Sequence, residues 1–282
     1  MAKIAQEAGV DADAPLLVGA SKLFVYLWDE AWKNAPGTLE GDVEALHDMR
    51  VAMRRLRVVL QNFEGPKADL LVPRHLRREL AEQRKQVGKL GDALGAVRDF
   101  DVLQEDLDGY IKKKSRRANA AFPGLELLCQ HLQAERAALF PKMVKGIKRG
   151  LEPRGLREQF GRFALGVPAV DMQPLLLRGA AQLIVPRRVE EVLAGAHTLE
   201  KPEDALGHHE WRKTLRRLRY TLETLAPCFP ESVESHIECL IQLQDYLGEM
   251  QDLYVLRGAI FEAFPQAKTD QADDGSSPAD EP

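Results

Sequence analysis

Two stretches of the sequence set a histidine and three arginines at helical spacing. They are His47, Arg50, Arg54 and Arg57, and then His209, Arg212, Arg216 and Arg219. Positions i, i+3, i+7 and i+10 fall on one face of an α-helix. Arginine presents a planar fork of donors that pairs bidentately with phosphate oxygens. Histidine adds a ring donor, and a charge where a bound polyanion raises its pKa. Like charges at these spacings repel by about a few tenths of a kcal/mol per pair on an isolated helix. An anionic ligand would relieve that repulsion in both rows. A solvated helix face, or arginines paired with acids of a neighbouring helix, would also produce such a row. A histidine taken singly is most often a core or capping residue.

The two rows belong to an internal repeat. His47–Leu60 and His209–Leu222 share seven of fourteen residues at an offset of 162. Leu90–Leu103 and Leu243–Leu256 share another seven of fourteen at an offset of 153. Two matches in the same order imply two related helical halves, divided near residues 150–170.

The elements that must carry these residues are helices. Leu46, Met49, Met53, Leu56, Leu60 and Phe63 step by three and four, the apolar stripe of an amphipathic helix. Leu76, Leu80, Val87, Leu90, Leu94 and Val97 keep a similar step, as do Leu215, Leu218, Leu222 and Leu225. Each basic row lies one residue, about 100°, from its apolar stripe, so it borders the core. Helices are expected at about 15–34, 41–63, 74–112, 122–149, 173–197, 203–226 and 231–263. Pro141 and Pro186 fall inside two of these, where kinks or breaks are expected. No alternating-period strand stands out. The expected fold is all-α: two pseudo-symmetric antiparallel helical bundles, with halves at about 15–150 and 170–264. Residues 1–14 are expected to be a flexible N-terminus and 265–282 a disordered acidic tail.

The charge balance locates any anion site. The chain has 282 residues, 39 basic and 43 acidic, a formal net charge of −4. One of those bases and five of those acids lie in the C-terminal segment from Gln266, which leaves 38 of each in the body. Attraction for a polyanion must therefore come from local concentration of arginine. Cys129, Cys228 and Cys239 form neither a disulfide framework nor a zinc pattern and read as residues of a reducing compartment. No signal peptide and no run of about 20 apolar residues is present, so a soluble cytoplasmic protein without membrane contact is expected.

Gly88, Gly91 and Gly95 share a face of the third expected helix, a row that Arg77, Arg84 and Arg98 continue. Glycine inside a helix costs about 1 kcal/mol, so three need a reason. Close helix packing is one, and room for a ligand beside the basic row is another. The second half keeps Gly248 but has Gln244 and Gln251 among acids such as Asp245 and Asp252, so the binding surface should be asymmetric. A second tier of anion contacts is expected at Arg55, Arg77, Arg84, Lys89, Arg98, Lys142, Lys213 and Arg217. Lys145, Lys148, Arg149, Arg187 and Arg188 would extend a path.

Enzyme signatures are missing. The glycines have the wrong spacing for a dinucleotide fingerprint, and there is no P-loop, zincin pair or nucleophile elbow. No carboxylate cluster is arranged to hold a magnesium ion, so no metal and no cofactor are expected.

The two His-x-x-Arg-x-x-x-Arg-Arg-Leu-Arg stretches, with the Leu-Gly-x-x-x-Asp segments at Leu94–Asp99 and Leu247–Asp252, resemble the CHAD family, the conserved histidine α-helical domain. The resemblance runs over about residues 15–264. It implies two pseudo-symmetric helical bundles that bind inorganic polyphosphate, often at polyphosphate granules. It also implies that His47, Arg50, Arg54, Arg57, His209, Arg212, Arg216 and Arg219 contact phosphate. The sequence departs from the pattern at Gln251, which stands where the first half has Arg98, and a last helix of the second bundle is not evident. No Glu-x-Glu-x-Lys signature of the triphosphate-tunnel domain fused to many relatives is found, so a stand-alone member is expected.

The resulting expectation is noncatalytic binding of inorganic polyphosphate in a basic groove, with polyphosphate-granule proteins as further partners. One competing reading is a phosphohydrolase or phosphotransferase using His47 or His209. Another is a nucleic-acid binder, for which only Trp211 and Tyr220 offer aromatic faces near the rows. A third is a scaffold whose arginines pair with internal acids.

Overall fold

The computed structural model describes residues 3–64, 71–118, 123–170, 175–201 and 203–264. Among the described residues ten α-helices follow one another: α1 (Lys3–Glu7), α2 (Leu16–Lys33), α3 (Ala35–Glu40), α4 (Val43–Glu64), α5 (Arg74–Ala118), α6 (Pro123–Leu151), α7 (Leu156–Gly166), α8 (Leu177–Gly195), α9 (Ala205–Leu225) and α10 (Glu234–Ala263). The fold is all-α, and the one β-bridge among the described residues joins Pro15 to Leu176. The expected acidic tail at 265–282 lies outside the described residues.

The periodic stripes become the core. Every member of the α4 stripe, from Leu46 to Phe63, is buried, as is every named apolar residue of the α5 stripe. They pack with Leu23, Phe24, Leu27 and Trp28 of α2, Met143 and Ile147 of α6, and Phe160 of α7. Helix α5, with 45 residues, is about 68 Å long. Its far part cannot reach that core. There Leu103 and Leu107 pack with Leu128 and Leu132 of α6 and with Leu256 and Ile260 of α10. In the second half, Trp211, Leu215, Leu218 and Leu222 of α9 lie against Val192 of α8 and Leu240 of α10.

Several expectations change. Within residues 3–14, Ile4 and Ala5 are buried, and Leu177 and Arg178 donate backbone hydrogen bonds to Ala14 and Ala12 at 3.0 Å each. Helices α6 and α8 continue unbroken through Pro141 and Pro186. Helix α3 is too short to show a period. Helix α7 sits in the expected boundary region, and tertiary bonds hold it. Trp28 Nε1 donates to the Arg157 carbonyl at 3.0 Å, and Ser21 Oγ to that of Ala164 at 2.7 Å.

The halves meet where α4 packs on α9 and α2 on α8. Buried polar groups fix that meeting. Arg188 of α8 is 2% exposed. Its Nε and Nη2 donate to Asn62 Oδ1 of α4 at 3.0 and 2.9 Å, and its Nη1 to both Glu191 carboxylate oxygens at 2.9 and 2.8 Å. Asn62 Nδ2 in turn donates to Thr221 Oγ1 of α9 at 3.2 Å. Close by, Glu223 of α9 is buried between Arg55 of α4 at 3.3 Å and Arg219 at 3.4 Å. Arg188 thus belongs to the joint between the halves and not to a surface path.

Candidate polyanion-binding cleft

The contact between α4 and α9 opens into a cleft of about 670 Å³, floored by α5. Helix α4 contributes Arg50, Arg54 and Arg57, α9 contributes His209, Lys213, Arg216 and Arg217, and α5 contributes Arg84. The apolar stripe of each motif helix is buried, and part of the row beside it faces the cleft.

The expected residues divide. Arg50, Arg54, Arg57, His209 and Arg216 line the cleft, with Arg84, Lys213 and Arg217 of the second tier. His47 is exposed at the start of α4, outside the lining. Arg212 turns toward α10, where its Nε donates to the Gln244 carbonyl at 3.2 Å. Arg219 and Arg55 are held by Glu223. Arg98 is buried and donates to both oxygens of Glu105, at 2.9 and 3.2 Å. Arg77 and Lys142 lie outside the lining, and Lys89 lies in an adjoining groove. Sequence reasoning missed Gln61 in the cleft and Arg78 and Lys85 in that groove. Their helical step with Lys89 and Asp92 on α5 was the available signal. Among the described residues none from α10 lines the cleft, so its flanks are unequal.

Three glycines on the helices behind the motif rows make room for arginine. A Cβ on Gly95 would stand 3.2 Å from Arg50 Nε, and one on Gly88 3.4 Å from Arg57 Cζ. A Cβ on Gly248 would stand 3.0 Å from Arg212 Nη2. Arg50 with Gly95 and Arg212 with Gly248 occupy matching repeat positions, so one arginine–glycine contact is made twice. Gly91 instead faces Met53. Close approach between a motif arginine and the backbone of the next helix is thus the reason for three of the four glycines.

Ion pairs relieve only part of the charge in the cleft. Arg50 Nη2 reaches Asp99 Oδ1 at 2.8 Å and Arg57 Nη1 reaches Asp92 Oδ1 at 3.1 Å. Arg84 is doubly bonded to Glu64 at 2.5 and 2.8 Å. Arg54 and Arg216 have no ion pair among the described residues. Burial, followed by the charges of Arg54 and Arg212, pulls the Arg216 guanidinium down to about 9. It remains protonated at neutral pH, but at an electrostatic cost. Arg50 and Arg212 are lowered too, chiefly by burial. Behind the row lies Tyr220, 1% exposed, with Arg55 and Arg219 at 5.3 and 4.8 Å from its ring. Burial would raise its hydroxyl, yet Arg54, Arg219, Arg216 and Arg55 hold it below its usual value. A low-dielectric site lined with donors and short of counter-charge is suited to a multiply charged oxyanion.

The chain is similar over 94% of its length to 84% of the crystal structure of the CHAD domain from the plant Ricinus communis, with 25% identity and a TM-score of 0.70. It also shares its fold with PptA from Streptomyces chartreusis, at 13% identity and a TM-score of 0.51 over 89% of this chain and 100% of that one. No curated protein sequence matches it significantly. The family model of the CHAD domain matches residues 26–260, most of the sequence, and the chain belongs to that family.

Proposed function

We propose that the cleft between α4 and α9 binds inorganic polyphosphate without turning it over. The observation that carries this reading is the pair Arg54 and Arg216, which share the cleft and have no ion pair among the described residues. The two carboxylates in the lining, Asp92 and Asp99, are engaged by Arg57 and Arg50 and are poorly placed to act as bases or metal ligands. Trp211 and Tyr220, the aromatics nearest the rows, are buried, and the described lining has no aromatic on which a base could stack. Those two points favour polyphosphate over a phosphohydrolase substrate or nucleic acid. Binding at polyphosphate granules, beside other granule proteins, is the setting this ligand implies.

The test is a titration with long-chain polyphosphate at two salt concentrations, with orthophosphate release followed in the same tube. Binding should fall steeply with salt, by analogy with other polyanions at about 0.7–0.9 units of log K per charge neutralised for each unit of log salt. Salt-independent binding, or steady release of orthophosphate, would overturn the reading.

A pH dependence follows from His209. Burial and then Lys213 hold its ring below the ordinary histidine range, with Arg216 adding to them while Glu210 and a hydrogen bond with Gln251 oppose. A bound polyanion favours the protonated ring, so binding takes up a proton. Affinity should rise as pH falls from about 7.5 to about 5.5. His209→Gln should flatten the profile, whereas an unchanged profile would place the ring outside the site.

A further inference from the structure

The cleft does not end at Arg57. A second groove of about 510 Å³ adjoins it along α5 and shares Arg57, Arg84 and Asp92 with it. Its own bases are Arg78, Lys85 and Lys89. All three are exposed and have no ion pair among the described residues. Of the two acids present, Asp92 is held by Arg57, and Glu82 accepts the Gln86 amide at 2.7 Å. Arg78, Lys85, Lys89 and Asp92 step along one face of α5, and Asp99 closes the same run inside the cleft. From Arg78 to Asp99 the helix rises by about 30 Å, at about 1.5 Å per residue.

We infer that this groove is a second polyanion subsite, continuous with the cleft, which engages the part of a long polyphosphate chain that the cleft cannot hold. The inference rests on the polyphosphate reading of the cleft. A short oligophosphate is held between Arg54 and Arg216 alone. A long chain passes Arg57 and Arg84, the residues common to both hollows, and continues over Lys89, Lys85 and Arg78. The two hollows differ in character. The cleft is half-buried and preorganised by helix packing, whereas the groove presents two exposed ammonium groups and one exposed guanidinium, on long side chains that follow a chain without fixing its register. The second subsite then acts by effective concentration: once the cleft holds one portion of the chain, the next portion meets the groove as an intramolecular partner. Discrimination by chain length is the expected property of such a track.

The experiment compares tripolyphosphate, at low salt, with long-chain polyphosphate on the full chain. Variants are the triple substitution Arg78→Ala, Lys85→Ala and Lys89→Ala, and a stronger pair, Lys85→Glu with Lys89→Glu. The altered side chains are exposed, and thermal melts check that the fold is retained. The triple variant should weaken long-chain binding about tenfold, the sum of three modest exposed charge contacts. Its salt slope should drop by about two to three units. Tripolyphosphate binding should stay within about twofold of the parent, and the charge-reversal pair should lose more long-chain affinity than the triple variant. Unchanged long-chain binding in both variants overturns the second subsite and leaves the cleft assignment standing. Equal weakening toward both ligands overturns it as well, because that is a general charge effect. A parent protein that binds neither ligand overturns the cleft reading and the subsite together.

Discussion

Replacing Arg54 and Arg216 together by alanine should lower polyphosphate affinity by about a hundredfold or more while the protein stays folded. Each side chain offers charge-assisted hydrogen bonds worth about 1.5–3 kcal/mol apiece to a bound phosphate, so losing both removes at least about 3 kcal/mol. The stability side has the opposite sign. The two guanidinium groups face one cleft without an ion pair among the described residues, and Arg216 is pulled down to about 9 by burial and by its arginine neighbours. Removing them relieves repulsion and desolvation in the free protein. The thermal midpoint of the double variant should therefore be equal to the parent's or higher. Polyphosphate titration and a melt on the same sample check both signs. A folded double variant that binds like the parent removes these residues from the site.

The second large effect concerns stability. Arg188→Ala should destabilise the chain by about 3–5 kcal/mol, the range for breaking a buried ion pair from one side. The truncation leaves Asn62 Oδ1 without its two guanidinium donors and removes the bidentate partner of Glu191. For a domain of this size that is a fall of roughly 10 °C in the melting midpoint. Denaturant unfolding measures it directly. Arg188→Met combined with Asn62→Leu should recover much of the loss, since an apolar pair of similar shape leaves no buried polar group unpaired. A melt of Arg188→Ala within about 1 °C of the parent would show that the polar joint contributes little.

The stripes of α4, α5 and α9 were legible because their apolar residues step at the helical period, and every one became core. The cleft was half legible. Its bases lie beside those stripes, so their general placement followed from a rotation of about 100°. Which arginines face the cleft did not follow. Arg219 is drawn off by Glu223, four positions ahead, and Arg98 by Glu105, seven ahead. Arg212 is drawn off by a carbonyl of α10, a helix that sequence spacing does not position. Helix α7 was missed because its hold on the core is a few tertiary contacts, Phe160 among the α2 aromatics and two carbonyls bonded by Trp28 and Ser21. The contacts of residues 3–14 were not legible for the same reason: the partners of Ala12 and Ala14 are residues 178 and 177, far along the chain.

One wall of the cleft is α4 and the other is α9, separated by the repeat offset of 162 residues. A ribosome synthesising this protein has therefore finished the first bundle well before the opposite wall exists. Long-range pairings of this kind form late in folding, and domains tend to fold as they emerge. The emerging first half carries Arg50, Arg54 and Arg57 on an open face, where they are hydrated and individually weak. Closure by α9 completes the cleft around them and brings Arg216 to Arg54. The capacity to grip a polyanion is thus a property of the completed chain, and either half expressed alone should present only a loosely charged helix.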